Sequence, residues 1–448
     1  MKFKYVIIAL FFFLEFNFNQ AQQSTPLTLE GAVQLALENS NKSKIADDKV
    51  VTAENELKVT KNLRYPDAVV SGQYQYLPHA QIDLQTNKDS GEGNEGNSGS
   101  NEGSSGTQIP NVNQLFLGQA NITMPVFTGF KLKNTVAASK NAYKAATFNS
   151  ANDKEQIALE TIHGYMELYK AKQAVGLMEE NLKSARQRVK DFTSMEQNGL
   201  LAKNDLLKAR LQAANIEVAL EEARKNERIL NYQLAITLKL PQDTQITTTE
   251  TEFRPAPKNI ESDRISRGDL AALQYQERAA KNQIKIAQSK YYPTLSVMAG
   301  YIALDVQNAL SVTNAMNFGL GLSYNFADIF KTKSDVKVAK SRALEVQHTL
   351  DLVSDQIKVQ VKNATEEYEL AYKKYNVYIK SEEQASENFR IVKDKYDNGL
   401  QNTNDLLEAD VDQLQAKINL AYAKADITQK YYELLTTEGK LTNTITTN

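Results

Sequence analysis

The residues able to do chemistry are few in this chain of 448, and their spacing excludes more than it offers. There is no cysteine, hence no thiolate nucleophile, no disulfide and no site for a lipid on an N-terminal cysteine. The three histidines, His79, His163 and His348, lie far apart and lack the spacing of a metal site. They read as surface or packing residues, with His163 beside the apolar seam of a helix. No glycine-rich phosphate loop follows a strand, and no Met or His cluster suggests metal export. The formal net charge of −2 supplies no basic field for nucleic acid. The pattern predicts neither an enzyme nor a cofactor. What remains are carboxylates beside turns: Asp205 after Gly199, and Asp405 with Glu408 after Gly399. The elementary role of such an Asp is to cap a helix, and Asn204-Asp205 and Asn404-Asp405 are read as caps.

Those two turns are copies of each other. Residues 198–209 and 398–409 agree at eight of twelve positions, at an offset of 200. The same offset carries Phe130-Lys131, Lys133, Val136 and Lys140 onto Phe330-Lys331, Lys333, Val336 and Lys340. Tyr65-Pro66 returns as Tyr292-Pro293 at an offset of 227, and the difference fits one insertion. Residues 86–106 are Gly, Ser, Asn and Glu almost throughout, a solvated loop unable to pack a core. A period near 200 is too long for a solenoid and suits a duplicated domain half.

Each copy carries a coiled-coil seam. Apolar or small residues fall three and four apart from Thr161 through Leu168, Val175 and Leu182 to Phe192, and the frame recurs from Val361 to Tyr396. It resumes after the first turn at Leu206, Ala209, Ala213, Ile216 and Leu220. No Pro falls between Pro125 and Pro241 or after Pro293. A helix from about Lys131 to Gln197 would be roughly 100 Å long at 1.5 Å per residue. Gly199 and Gly399 would end the two long helices in the left-handed conformation.

Between the helices the period changes to two. Residues 68–76, 116–126, 294–303 and 316–326 each set an apolar face, rich in Tyr and Phe, against a polar or small one. Each is about 9 to 11 residues, the length of a transmembrane β-strand. Four strands are too few to close a barrel, so strands in a membrane must be shared among several chains. Two chains or three is left open by the residues. At the N-terminus, Lys2 and Lys4 precede the apolar run Tyr5 to Leu14 and then Glu15, the pattern of a secretory signal over residues 1–21. The expected order is a first repeat over 22–240, a linker over 241–265 and a second repeat over 266–448.

In these features the chain resembles the TolC family of outer-membrane efflux proteins. The resemblance rests on Leu27-Thr28-Leu29-Glu30-Gly31-Ala32-Val33, on Arg267-Gly268-Asp269-Leu270, on Tyr292-Pro293-Thr294-Leu295 and on Pro125-Val126-Phe127-Thr128-Gly129. Its most specific elements are the two turns, Gly199 to Leu207 and Gly399 to Leu407. Gly268 stands where the family usually has Pro, and Asn325 to Phe330 lacks the Pro and Gly of the usual strand exit.

The resemblance implies a mainly α fold with β: a TolC-like α/β-barrel of long antiparallel coiled-coil helices and four transmembrane strands per chain. It implies a homotrimer with one twelve-stranded barrel in outer-membrane lipid and a periplasmic helical tube of quasi-sixfold symmetry. Residues 241–265 and the chain ends would form a belt around that tube. The implied partners are a periplasmic adaptor (membrane fusion) protein and an inner-membrane pump of the RND, ABC or MFS class. The implied function is the passive exit duct of a tripartite efflux or type I secretion system. By position Asp405 matches a pore-lining Asp, Glu408 falls one helical turn later, and Asp205 is the first-turn counterpart. Tyr396 matches a Tyr that holds the closed state, while the Arg that completes that latch in relatives falls at Gln401. An alternative with the same signal, coiled coil and strands is a trimeric outer-membrane-anchored adhesin or periplasmic scaffold that conducts nothing.

Overall fold

The computed structural model describes residues 24–81, 111–249 and 266–446. The signal at 1–21, the loop at 86–106 and the linker residues 250–265 lie outside the described residues. The chain divides into two compact units, and each takes segments from both repeats: Ala53–Tyr143 with Gln276–Val346, and Met1–Thr52 with Lys144–Tyr275 and Gln347–Asn448.

The first of these units holds a four-stranded antiparallel sheet. Strands β2 (Asp67–Gln81) and β3 (Asn111–Thr128) form one hairpin, and β5 (Thr294–Val306) and β6 (Leu310–Ser323) form the other. The order is β2-β3-β5-β6, so β3 and β5 join the two repeats. The register puts the sequence-predicted apolar residues on one face. Val70 lies opposite Ala120, which lies opposite Tyr301, then Met316. Ala68, Ile122, Ala299 and Phe318 form the next row on that face. On the other face Asn121, Gly300 and Asn317 make a polar row, where Gly300 leaves room for both amides. The fourth strand is displaced from 316–326: it starts at Leu310 and ends at Ser323, where Asn325 accepts from the Ala327 backbone N–H and turns the chain into the next helix. The apolar face is bare. Val70 is 84% exposed and Phe318 is 83% exposed.

The second unit is mainly helical, although parts of several helices, among them residues 131–143 and 328–346, fall within the first. Helix α3 (Lys131–Gln197) has 67 residues and α6 (Asp328–Asp397) has 70. Each returns through a 36-residue helix, α4 (Lys203–Leu238) and α7 (Thr403–Glu438), which keep the 200-residue offset at both ends. Short helices α1 (Leu29–Asn39), α2 (Asn41–Asn62), α5 (Gly268–Gln288) and α8 (Leu441–Thr446) complete the set. Thr28 caps α1 by accepting from the Gly31 backbone N–H at 3.0 Å. The main core joins Leu29, Val33, Ile162, Tyr165, Leu238 and Leu441, all essentially without solvent contact. A pair of four-residue parallel strands, β1 (Ser24–Leu27) and β4 (Gln245–Thr248), closes beside it. The buried Tyr165 hydroxyl donates to the Leu27 carbonyl at 2.7 Å and accepts from the Thr249 N–H at 2.9 Å. Glu155, also buried, accepts from the backbone N–H groups of Leu441 and Thr442 at the start of α8. Segment 241–248 and both ends of the described chain therefore meet on one core.

Both long helices end as their glycines require. Gly199 has φ +72° and Gly399 φ +73°. In each turn the next residue's N–H reaches back five positions, Leu200 to Met195 and Leu400 to Lys395, both at 2.8 Å. Gly129 shares the left-handed conformation at φ +62°, but a Cβ there would collide with the Ser289 carbonyl, whereas the space around Gly199 is open. Gly199→Ala should therefore cost only the left-handed strain, about 1–2 kcal/mol, and Gly129→Ala distinctly more. Thermal unfolding of the two variants in detergent measures this; equal losses would contradict it.

Candidate site at the helical hairpin turns

The first turns of α4 and α7 correct the expected caps. The N-cap of α7 is Asn402, whose Oδ1 accepts from the Asp405 backbone N–H at 3.0 Å. The N-cap of α4 is Ala202, which has no side chain able to accept that bond. Asn204, Asp205, Asn404 and Asp405 thus lie inside the first helical turn and cap nothing.

Four of the sequence-predicted residues, Asp205, Tyr396, Gly399 and Gln401, converge on a cleft of about 330 Å³ between the two turns. Asp205, Tyr396 and Gln401 line it with Met195, Leu201 and Lys208. Lys208 Nζ sits 3.4 Å from the Asp205 carboxylate. Gln401, at the position of the missing Arg, donates its amide to Asp405. Tyr396 stacks on Phe192 with ring centroids 5.7 Å apart. Burial pushes its hydroxyl above the ordinary tyrosine pKa, helped by the Asp205 and Asp397 carboxylates and opposed by a hydrogen bond with Thr403. Around this pair Leu206, Ala209 and Leu406 close a small apolar core joining the two hairpins. Glu408 is not drawn into the cleft; it is exposed on α7 one turn beyond Asp405.

Sequence reasoning missed a buried polar link between the hairpins. Asp410 on α7 is only 3% exposed. Arg188 of α3 donates to its Oδ2 at 3.1 Å, and Asn181 of α3 to its Oδ1 at 3.3 Å. Gln212 of α4 donates to the same carboxylate at 3.5 Å and to the Leu407 carbonyl at 3.2 Å. A buried carboxylate is tolerable only with partners of this kind, and removing one partner of such a pair typically costs about 3–5 kcal/mol. One signal was available: the 200-residue offset fails here, with Arg188 against Asn388 and Asp410 against Arg210.

A second link involves His163 of α3. Its Nε2 lies 3.1 Å from Glu433 Oε1 on α7, an ion pair when the imidazole is protonated. Lys430 also holds Glu433, at 2.8 Å, and lies 3.8 Å from Glu367 of α6. Among the described residues no cluster of His, Asp and Glu could hold a metal ion, and no helix is long and apolar enough to cross a membrane.

Burial raises the Glu433 pKa, but hydrogen bonds from His163, Lys430 and Gln429 outweigh that and bring it down to about 2. A carboxyl lowered on folding stabilises the fold above its unfolded pKa near 4.5 and loses that contribution as pH falls toward 2. Stability measured from pH 5 to about 2 should fall less steeply in Glu433→Gln than in the parent. Identical slopes would remove Glu433 from this account.

The comparisons agree with this architecture. Residues 260–440 match the family model of the outer membrane efflux protein. The outer membrane efflux protein BepC of Brucella suis is 22% identical over 323 residues, 71% of this chain and 70% of its own. The outer-membrane channel CmeC of Campylobacter jejuni superimposes with a TM-score of 0.77 at 17% identity, over 92% of this chain and 86% of its own. The outer membrane protein VceC of Vibrio cholerae gives 0.75 at 16%, over 92% of this chain and 96% of its own. The second repeat thus matches the outer membrane efflux protein family over residues 260–440, and the chain has the TolC-like fold of these outer-membrane channels.

Proposed function

We propose that the protein is the passive exit duct of a tripartite efflux or type I secretion system, working as a homotrimer. The observation that carries this reading is the incompleteness of the sheet. Among the described residues its outer strands β2 and β6 each leave an edge without a partner strand, and its apolar face is bare. In lipid every backbone polar group needs a partner, so the edges must meet those of other copies and close a barrel. Three copies give twelve strands, and the polar face of Gln119, Asn121, Thr123 and Asn317 would then line the lumen. A periplasmic adaptor and an inner-membrane pump of the RND, ABC or MFS class would complete the system, the pump supplying the energy.

The turns are the natural constriction. Symmetry copies of Asp405 and Glu408 would concentrate negative charge around one axis and attract cations, with Asp205 and Tyr396 holding the neighbouring wall. Opening would separate the cleft lined by Asp205, Tyr396 and Gln401. A channel-free adhesin or scaffold shares the signal, the strands and the coiled coil, but gives no role to the acidic turns.

Reconstitution into a planar bilayer discriminates the two. The duct predicts conductance that trivalent cations block, and Asp405→Asn with Glu408→Gln should weaken that block at least tenfold. Absence of conductance from the reconstituted multimer would favour the scaffold.

A further inference from the structure

The buried knot at Asp410 has a quasi-equivalent whose charges are exchanged. Within one chain the first hairpin contributes Arg188 and Gln212, and the second contributes Asp410. Advancing each position by one repeat gives Asn388 and Asp412 on the second hairpin. The member opposing them is Arg210, on the first hairpin of the next copy. The side that received a cation thus acquires one, and the Gln that approached a carboxylate becomes a carboxylate.

The burial pattern supports the transfer. Asp410 is buried while Arg210 is exposed, and Gln212 is half-buried while Asp412 is exposed. Neither Arg210 nor Asp412 makes an ion pair among the described residues. The contrast runs along the helices. On α7, Ile418 and Tyr432 are 8% and 4% exposed; their counterparts on α4, Val218 and Tyr232, are 61% and 45% exposed. Leu207 and Ile236 extend the same bare stripe of α4. On α6, Val359 and Val377 are likewise bare where Leu159 and Leu177 of α3 are half-covered. One chain therefore fills one hairpin-to-hairpin interface and presents the two halves of a second, head to tail, as a closed ring requires.

We propose that Arg210 of one copy pairs with Asp412 of the next, making the inter-copy counterpart of the Arg188–Asp410 link, so that the two kinds of link alternate around the hairpin ends. The proposal rests on the multimeric reading above, and it names the occupant of the bare α4 stripe as the second hairpin of another copy of this chain.

The chain has no cysteine, so the test is free of background. The variant Arg210→Cys with Asp412→Cys, purified in detergent and treated with a short bifunctional thiol reagent, should move most of the chain into covalent dimers and trimers on a denaturing gel. Either single variant should remain monomeric. In a second measurement, Arg210→Asp or Asp412→Arg alone should lower the temperature at which the multimer dissociates, and the two together should restore most of the loss. Multimers that yield no cross-linked bands, or cross-linking by a single-cysteine variant alone, would overturn the proposal and leave the duct reading standing. A particle that is monomeric before cross-linking would instead overturn the reading beneath it.

Discussion

The constraint on which the rest depends is the backbone hydrogen bond in the absence of water. A sheet of four strands has two open edges, and β2 and β6 are those edges here. In an aqueous protein such edges are covered or blunted. In a bilayer they must be paired, and the described residues of one chain offer no further strand to pair them with. Exposed Val70, Phe318 and Leu320 agree with a lipid-facing surface, and the opposite face, with Asn121 and Asn317 about Gly300, agrees with a wet interior. On the proposed reading the barrel is a property of the assembly, and the helices of each chain continue from a share of it.

Duplication explains why one chain can be built this way. Two copies of one strand-and-hairpin unit give the helix pairs matching bounds, 203–238 and 403–438. The copies then diverge where the two interfaces differ. The interface inside the chain is drawn together by a buried Arg–Asp pair and by the Phe192–Tyr396 stack. The faces turned outward keep charged and apolar residues in the same frame, and Arg210 and Asp412 there make no ion pair among the described residues. On the proposed reading, closing the second interface with more copies uses the geometry already present in the first.

Much of the fold was legible in the sequence because it is periodic. The end of α3 at Gln197, the glycine turns and the faces of all four large strands follow from repeats of seven, two and 200. What escaped has no period. Strands β1 and β4 are four residues each and meet through the core around Tyr165. The cap was assigned to Asn-Asp by residue type, yet Asn402, two residues earlier, has the same chemistry, and Ala202 in the other copy gives no signal. The Asp410 knot needs residues from three helices, and its only trace in the sequence is a break in the repeat. At the candidate site, the clustering of Asp205, Tyr396 and Gln401 was expected only from the family resemblance, whereas the exclusion of Glu408 from the cleft depends on the pitch of α7.

The central claim is that this chain completes its barrel only with others like it. The mass of the detergent-extracted particle, measured by native mass spectrometry, tests it most directly. Three copies per particle, resistant to dilution, is the predicted result. A single chain that remains folded in detergent, with the sheet edges protected from hydrogen exchange, would contradict it.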